Sequence, residues 1–165
     1  MKRYKLNSTG SLPSCSWLNT IFWSGLISGI LDALAACIVY YYKQGFNPGD
    51  VMKYIASGLY GPAAFVGGND MIIKGFLLHF LTAFVIAGSY YIIYPKVRML
   101  KNKPFWSGII FGTLVWIVMS FIIIPSTAVP KSPFTLIDAM IGVSWHMFLV
   151  GLPIAVITKK AYSSY

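Results

Sequence analysis

The sequence has no glutamate, and its acids are four aspartates: Asp32, Asp50, Asp70 and Asp138. Charged residues make up 10% of the 165 residues, whereas a soluble domain carries roughly 25%. Cysteine is scarce as well, because the chain has two, with no CxxC spacing that would indicate a metal or redox site. With hydrophobic residues at 57%, these shortages exclude an ordinary soluble domain and indicate a chain surrounded by lipid.

The motifs of soluble enzymes are missing too. The chain contains no nucleophile elbow, no zinc motif and no phosphate-binding loop, so we expect no enzymatic activity. The formal net charge of +9 is of the sign that nucleic acid attracts. However, the basic residues flank apolar runs, where lipid headgroups and the positive-inside rule account for them. We therefore expect the lipid bilayer as a partner and no nucleic acid.

Four apolar runs are each long enough to cross a bilayer, which takes about 20 residues. They are predicted over residues 17–42, 71–94, 105–124 and 133–158. The fourth is expected to begin at Pro133 with Ser132 as its N-cap, since proline favours the first helical position. Residues 1–16 are interpreted as a disordered basic arm, and residues 17–165 as one transmembrane domain. The predicted fold class is an all-α integral membrane protein with four transmembrane helices.

An internal repeat organises these runs. The segment FWSGLISG at 22–29 recurs as FWSGIIFG at 105–112, and each copy is followed by a glycine and a histidine spaced by four: Gly75 with His79, and Gly142 with His146. Repeat 1 is assigned to residues 17–95 and repeat 2 to residues 104–160. Each repeat holds two spans, so both copies enter the membrane in the same direction. We expect two parallel two-helix repeats related by a rotation about the membrane normal.

Glycines spaced by four recur in both copies of the motif. Gly25 and Gly29 in the first span, like Gly108 and Gly112 in the third, form small-xxx-small steps that let helix backbones approach closely. We interpret them as helix-packing positions. Contact with a substrate is the alternative, and the spacing alone does not support it.

The connection between the first two spans is predicted to contain a short helix over residues 48–60. Asn47-Pro48 reads as a cap followed by proline at the first helical position. The residues Val51, Met52, Ile55 and Leu59 recur at helical spacing, and Gly61-Pro62 ends the pattern. We expect an interfacial helix on the outer leaflet, with a pore-lining loop as the alternative for the glycine-rich residues after it.

Charges in the connections predict the orientation. The N-terminal arm, the connection between the second and third spans and the tail carry basic residues without acids: Lys2, Arg3, Lys5, Lys96, Arg98, Lys101, Lys103, Lys159 and Lys160. The other connections hold fewer lysines, together with Asp50, Asp70 and Asp138. The positive-inside rule therefore predicts that both termini are cytoplasmic.

Several segments together resemble a known group of proteins. They are GILD at 29–32, IASGLYGPAAF at 55–65, LHFL at 78–81, Val115-Trp116 with Met119 and Pro125, and His146 with VGLPIA at 150–155. This set is similar to a family of small bacterial inner-membrane proteins of unknown function, which distantly resembles the YagU-type inner-membrane proteins. The resemblance implies a bacterial inner-membrane location and topology, and a suggested link to acid resistance. It implies no reaction and no catalytic residue.

Three acidic or imidazole side chains fall deep inside the predicted spans, away from their ends. Asp32 lies nine residues after Trp23 and His79 eight residues into the second span, or roughly 12–13 Å from the membrane surface at 1.5 Å per residue. His146 holds the position equivalent to His79, whereas the position equivalent to Asp32 is Val115. Because an ionisable residue in a span is costly, we predict that Asp32, His79 and His146 face one central cavity. The alternative is that each is a satisfied core residue that fixes helix register.

Three functions remain open from the sequence. The first is a small proton- or ion-sensitive transporter or channel centred on Asp32, His79 and His146, working as a homo-oligomer or with a membrane-protein partner. The second is a non-catalytic accessory or assembly subunit. The third is a bundle in which His79 and His146 ligate a haem. We expect no metal and no cofactor, with the haem as the alternative. The aromatic residues are interpreted as membrane-belt and core positions, and Asp70 and Asp138 as helix-start residues.

Overall fold

The computed structural model describes residues 16–130, 133 and 135–163, and within these ranges the chain is helical with no β-strand. The predicted disordered arm lies outside these ranges, apart from Ser16, which begins the first helix. The helices are α1 (Ser16–Gln44), α2 (Pro48–Tyr60), α3 (Ala63–Val66), α4 (Asn69–Ile93), α5 (Arg98–Asn102), α6 (Pro104–Val118), α7 (Leu136–Trp145) and α8 (Leu152–Ser163). A π-helical segment and a 3₁₀ turn prolong α6, and a second π-helical segment joins α7 to α8: Met119–Ile123, Ile124–Ser126 and His146–Gly151.

Four helical stretches are long and apolar enough to cross a membrane: span 1 (Trp17–Gln44), span 2 (Asn69–Ile93), span 3 (Pro104–Ser126) and span 4 (Leu136–Ser163). Their mean hydropathy lies between 1.8 and 2.4. The predicted all-α, four-span fold of a multi-pass membrane protein is therefore confirmed. We call the end of the bundle that carries α2 and α3 the α2 end, and the opposite end, which carries α5, the α5 end.

The predicted start of span 4 is wrong. Pro133 lies outside the helix, and α7 begins at Leu136 with Thr135 as its N-cap. The Thr135 hydroxyl accepts a hydrogen bond of 3.1 Å from the backbone N–H of Asp138, which satisfies an amide that the first turn leaves unpaired. Ser132, the predicted cap, lies outside the described residues. Thr135, with Asp138 three residues later, is therefore the start signal that the helix uses. It follows the signal that was predicted at Ser132 and Pro133.

The predicted helix in the first connection is confirmed as α2, with the predicted bounds. The Asn47 side chain accepts from the Asp50 N–H and the Asp50 carboxylate accepts from the Asn47 N–H, both at 3.1 Å, which forms a capping box. Gly61 ends the helix at a φ of 59°, in the left-handed region that favours glycine. The buried face consists of Val51, Met52, Ala56 and Ser57, whereas Leu59 of the predicted stripe is 67% exposed.

Contacts at two of its residues hold α2 against the bundle. At Gly75 of α4, a Cβ atom would overlap the backbone of Met52, so the two helices touch along their backbones there. The Gly58 carbonyl accepts a hydrogen bond of 3.1 Å from the Ala128 N–H, which links α2 to the connection between spans 3 and 4. Both connections at the α2 end therefore form one covering layer.

The four predicted packing glycines all lie at close helix contacts. A Cβ at Gly25 or Gly29 would crowd the Phe84 and Phe80 side chains of span 2, and a Cβ at Gly108 or Gly112 would crowd the backbone of span 4. The contact between spans 3 and 4 is the tighter of the two, since glycine lies on both sides where Gly108 meets Gly151. The bundle is thus built around two glycine-lined helix pairs, span 1 with span 2 and span 3 with span 4.

The hydrophobic core fills the α5 end. Its buried members come from span 2 and the residue that follows it, from spans 3 and 4 and from α5: Ala87, Tyr90, Tyr94, Leu100, Val115, Val150, Ile154 and Ala155. The hydroxyl groups of Tyr90 and Ser107, both buried, are 2.7 Å apart and form a hydrogen bond between spans 2 and 3. This bond joins the two helix pairs inside the core.

Most of the remaining surface of the spans is apolar and faces outward. In the most apolar stretch of each span, between 17% and 28% of the residues are buried within the chain. Large aliphatic side chains on every span are more than half exposed: Leu34, Ile38, Leu81, Val85, Leu114, Ile122, Ile137 and Met140. Such a perimeter requires an apolar surrounding, which a bilayer or further helices supply.

Candidate functional site

A cavity of about 700 Å³ lies between the four spans and α2. Its lining includes all three ionisable residues that the sequence singled out, Asp32, His79 and His146. Lys43 and Asp138 line it at the α2 end, where their side chains are 37% and 42% exposed. The cavity therefore reaches the surface at the α2 end and extends into the middle of the bundle.

The cavity is closed toward the α5 end. Val115 and Val150 line it and also belong to the hydrophobic core. From Val150 to Lys159 span 4 continues for nine residues, or about 13 Å at the helical rise of 1.5 Å per residue. Packed core thus separates the cavity from the α5 end.

Asp32 and His146 meet near the closed end. The Nε2 atom of His146 lies 3.9 Å from Oδ1 of Asp32, which is longer than a hydrogen bond but short enough for charge attraction. The two side chains keep 25% and 14% of their surface accessible. Within the described part of the chain, Oδ1 of Asp32 is buried without a hydrogen-bond partner. Asp32 of span 1 and His146 of span 4 therefore form an ionisable pair that no direct hydrogen bond joins.

The second nitrogen of His146 determines what this pair can do. Nδ1 lies 2.7 Å from the carbonyl oxygen of Gly142, and because a carbonyl can only accept, Nδ1 carries the hydrogen. The lone pair of the neutral ring is then on Nε2 and faces Asp32, whose carboxylate also only accepts. Two facing acceptors repel each other unless a proton lies between them. The pair therefore forms a site for one proton, bound by either His146 Nε2 or the Asp32 carboxylate; at 3.9 Å no direct hydrogen bond joins the two atoms.

His79 lines the same cavity but has a different partner. Its Nε2 atom donates to the carbonyl oxygen of Gly29 at 2.9 Å, one turn before Asp32 on span 1. The lack of a side chain at Gly29 lets span 2 approach closely, since a Cβ there would lie 3.0–3.2 Å from Phe80 and Ala83. His79 thus holds span 2 against span 1 beside the acid, and Nδ1 is the nitrogen left for the cavity.

The two histidines, equivalent in the sequence repeat, therefore have unequal roles. His79 bonds to the first span of its own repeat, whereas His146 faces Asp32 in the other repeat. One local difference is that His146 begins the π-helical segment His146–Gly151, while His79 lies in regular α-helix. A π turn inserts an extra residue and re-aims the side chains around it, and such segments are frequent at functional sites.

An ion pair that the sequence analysis missed lies at the opening. The Lys43 ammonium at the end of span 1 contacts the Asp138 carboxylate in the first turn of α7. The sequence analysis assigned Asp138 to the helix start, and its backbone N–H does bond to the cap residue Thr135. Its carboxylate, however, bridges two spans at the mouth. No local pattern could have shown this, because the partners are far apart in the chain.

Aromatic side chains also line the cavity, which corrects their interpretation as belt and core alone. They come from five elements: Tyr40, Tyr54, Trp116, Phe121 and Trp145. The rings of Tyr40 and Tyr54 are 5.3 Å apart, and the Trp145 ring stacks on His146 at 5.4 Å with an interplanar angle of 18°. Only the fold brings these rings together, since each is unremarkable in its own segment.

The described residues include no group of three or more His, Cys, Asp or Glu side chains that could hold a metal ion. Comparison of the chain with protein-family models, with curated proteins and with solved structures finds no match. The function is therefore argued from the geometry of the cavity.

Proposed function

We propose that this chain is a small proton-sensitive transporter or channel, in which Asp32 and His146 exchange the proton. The observation that carries the proposal is their pairing at the closed end of a cavity that opens at the other end. An aspartate at the centre of a span costs about 2.5–3.5 kcal/mol on insertion scales. Imidazole is the side chain that ordinarily titrates between pH 5 and 8. A costly pair of facing acceptors that can bind one proton suits proton exchange better than packing.

Transport through this bundle requires the core at the α5 end to open. The two π-helical segments are the places where spans 3 and 4 can rearrange, because both line the cavity and each ends shortly before a proline, Pro125 or Pro153. A proline removes one backbone hydrogen bond from its helix. Protonation of the Asp32–His146 pair would change the attraction between spans 1 and 4 and thereby bias these irregular turns.

We place the chain in the bacterial inner membrane with the α5 end in the cytoplasm. Six basic residues lie at that end in the described part of the chain: Lys96, Arg98, Lys101, Lys103, Lys159 and Lys160. At the α2 end two of the lysines have acidic partners, Lys43 with Asp138 and Lys74 with Asp70. The difference in net positive charge supports cytoplasmic termini. A cysteine placed at Lys101 should resist an impermeant thiol reagent in intact cells, and labelling from outside would overturn this orientation.

The resemblance to small bacterial inner-membrane proteins related to the YagU type is consistent with this proposal. The acid resistance suggested for the YagU type would require a proton-sensitive site. We also propose that the chain works as a homo-oligomer or with a membrane-protein partner. The exposed apolar perimeter supports this, and four spans enclose a small volume.

The two other functions remain as predictions, each with one supporting feature. Haem binding is supported by the imidazole nitrogens that do not bond to a backbone carbonyl, namely Nδ1 of His79 and Nε2 of His146. A Soret band in the purified protein would favour a haem. For an accessory subunit, Leu59 and Val66 at the α2 end are 67% and 89% exposed and could contact a partner.

The test of the proposal is proton flux in liposomes that contain the purified protein and an entrapped pH-sensitive dye. After an external pH step, the wild-type protein should equilibrate the lumen faster than empty liposomes do. Asp32→Asn and His146→Gln should both return the rate to that of empty liposomes, because either change removes one side of the shared proton site.

Asp70→Asn is the matched control, because it neutralises an acid that is exposed and paired with Lys74 at 3.1 Å, outside the cavity lining. This variant should retain the wild-type rate. Flux that persists in Asp32→Asn, or no flux above empty liposomes for the wild type on either side of neutral pH, would contradict the proposal.

A further inference from the structure

The charge of the cavity is opposite in sign to the charge of the chain. The protein has 13 basic residues, 4 acids and a net charge of +9. Among the described residues, the cavity lining holds two of the acids, Asp32 and Asp138, and one basic residue, Lys43. Lys43 and Asp138 neutralise each other as an ion pair. When both imidazoles of the lining, His79 and His146, are neutral, the charge left over is that of Asp32, so the cavity with Asp32 ionised attracts cations.

Four of the five aromatic residues in the lining form two walls of the cavity. Tyr40 and Tyr54 form one side of the cavity, with ring centroids 5.3 Å apart, and Trp116 and Trp145 line the side of spans 3 and 4. Aromatic ring faces attract cations, and the attraction is largest where water is excluded. One carboxylate with four rings suits an organic cation, whereas a bare divalent ion such as Ca²⁺ takes six or more oxygen ligands.

An outer groove of about 600 Å³ lies between span 1 and span 4 on the lipid-facing side. Three residues line both the groove and the cavity, namely Val39, Ile141 and Trp145. The wall between the lipid and the cavity is therefore one side chain thick at this place. A ligand with an apolar body could enter the cavity from the bilayer as well as from the opening at the α2 end.

From these three observations we propose that the cavity binds a small amphipathic organic cation, an amine or quaternary ammonium group on an apolar body. The charge sits at Asp32 and the body lies among the four rings. A cavity of this volume is of the size that holds small organic ligands. The inference rests on the proposed function, because the cation would occupy the place of the shared proton, so proton and cation would compete for Asp32.

Binding to the wild-type protein in lipid nanodiscs tests the inference without any variant. Three probes of similar shape differ in charge: phenyltrimethylammonium is a cation, tert-butylbenzene is its neutral isostere and benzenesulfonate is an anion. Titration calorimetry, corrected with empty nanodiscs, should show the cation binding at least about tenfold more tightly than the neutral isostere, an effect within the range of one desolvated cation–π contact. The anion should not bind.

Two variants locate the site. Asp32→Asn should weaken binding of phenyltrimethylammonium and leave binding of tert-butylbenzene unchanged, because it removes the charge and keeps the shape. Trp145→Leu should weaken binding of the cation more than binding of the neutral isostere, because it removes the ring that stacks on His146 beside Asp32 and keeps an apolar side chain. Asp70→Asn, outside the cavity lining, is the control and should bind as the wild type does.

The outcomes separate this inference from the proposed function. Equal affinity for the cation and its neutral isostere, tighter binding of the anion, or undiminished cation binding in Asp32→Asn would overturn the inference, even if proton flux is observed. Cation binding that requires Asp32, together with the absence of proton flux in liposomes, would uphold the cation site and overturn proton transport.

Discussion

The two ends of the bundle differ in what fills the space between the spans. At the α5 end the space is packed with apolar side chains, and the hydrogen bond between Tyr90 and Ser107 is buried within it. At the α2 end the same spans enclose a cavity lined by Asp32, His146 and aromatic rings. Val115 and Val150 belong to both regions and mark the boundary.

This difference indicates that stability and function depend on different halves of the same helices. Backbone contacts between spans 3 and 4 at Gly108 and Gly151 lie on the packed side of the boundary, where no ionisable group of the cavity is involved. The Asp32 carboxylate, by contrast, lacks a hydrogen-bond partner at Oδ1. Such a group adds little to stability, and its insertion into a membrane costs free energy. Substitutions in the two halves should therefore separate loss of folding from loss of function.

The largest effect is expected for Gly108→Ala. A Cβ at this position would lie 2.8 Å from Cα of Leu152 and 3.0 Å from the Gly151 carbonyl oxygen, so the backbone of span 4 would have to move. We expect a loss of about 1–3 kcal/mol in the free energy of unfolding, the range for overpacked sites. Denaturant unfolding in detergent, followed by circular dichroism, measures it.

Gly88→Ala is the matched control for Gly108→Ala. Its added Cβ would meet only the Ile21 side chain, at an ordinary contact distance of 3.9 Å. This variant should unfold as the wild type does or be slightly more stable, since alanine is the better helix former. If the two variants were equally stable, the close contact between spans 3 and 4 would not be a source of stability.

A smaller effect is expected for Tyr90→Phe, which removes the hydroxyl bonded to Ser107 and leaves the ring in the core. The loss should be about 1 kcal/mol, as for other hydrogen bonds between helices, with unchanged binding of phenyltrimethylammonium. Tyr41→Phe, at a tyrosine that is 62% exposed, is the control and should not change stability. Altered ligand binding in Tyr90→Phe would show that the two halves are coupled.

The smallest effect on stability is expected for Asp32→Asn. Its carboxylate has no hydrogen-bond partner at Oδ1 in the described structure, so the substitution breaks no hydrogen bond at this atom. The free energy of unfolding should stay within about 1 kcal/mol of the wild type, while proton flux and cation binding are lost. A large loss of stability would favour the alternative from the sequence, in which Asp32 fixes helix register.

Local patterns were sufficient to predict the four spans and α2, but not the short helices α3 and α5 or the π-helical segments. Long apolar runs gave the four spans, and the sequence Asn47-Pro48 followed by Asp50 predicted α2, because its capping box involves neighbours in the chain. The same local rules gave the wrong start for span 4, where Pro133 and Thr135 both provide a start signal. When two start signals lie two residues apart, local sequence rules do not determine which of them begins the helix.

The sequence predicted the candidate site less completely. Ionisable residues in apolar spans are rare enough to identify Asp32, His79 and His146 directly. The ion pair at the mouth and the aromatic walls depend on contacts between residues far apart in the chain, so no spacing rule reveals them. The unequal partners of the two histidines are also tertiary, because the repeat predicts equivalence and the π-helical segment at His146 is where the second copy departs from it.

Nitrogen NMR of the imidazole rings tests the central claim, that Asp32 and His146 share a proton site. The chain has two histidines, so selective ¹⁵N labelling gives two ring systems, which His79→Gln assigns. At alkaline pH the hydrogen should be on Nδ1 of His146 and on Nε2 of His79. Asp32→Asn should change the His146 ring signals and leave those of His79 nearly unchanged. A hydrogen on Nε2 of His146 at alkaline pH, or His146 signals that do not respond to Asp32→Asn, would contradict the account.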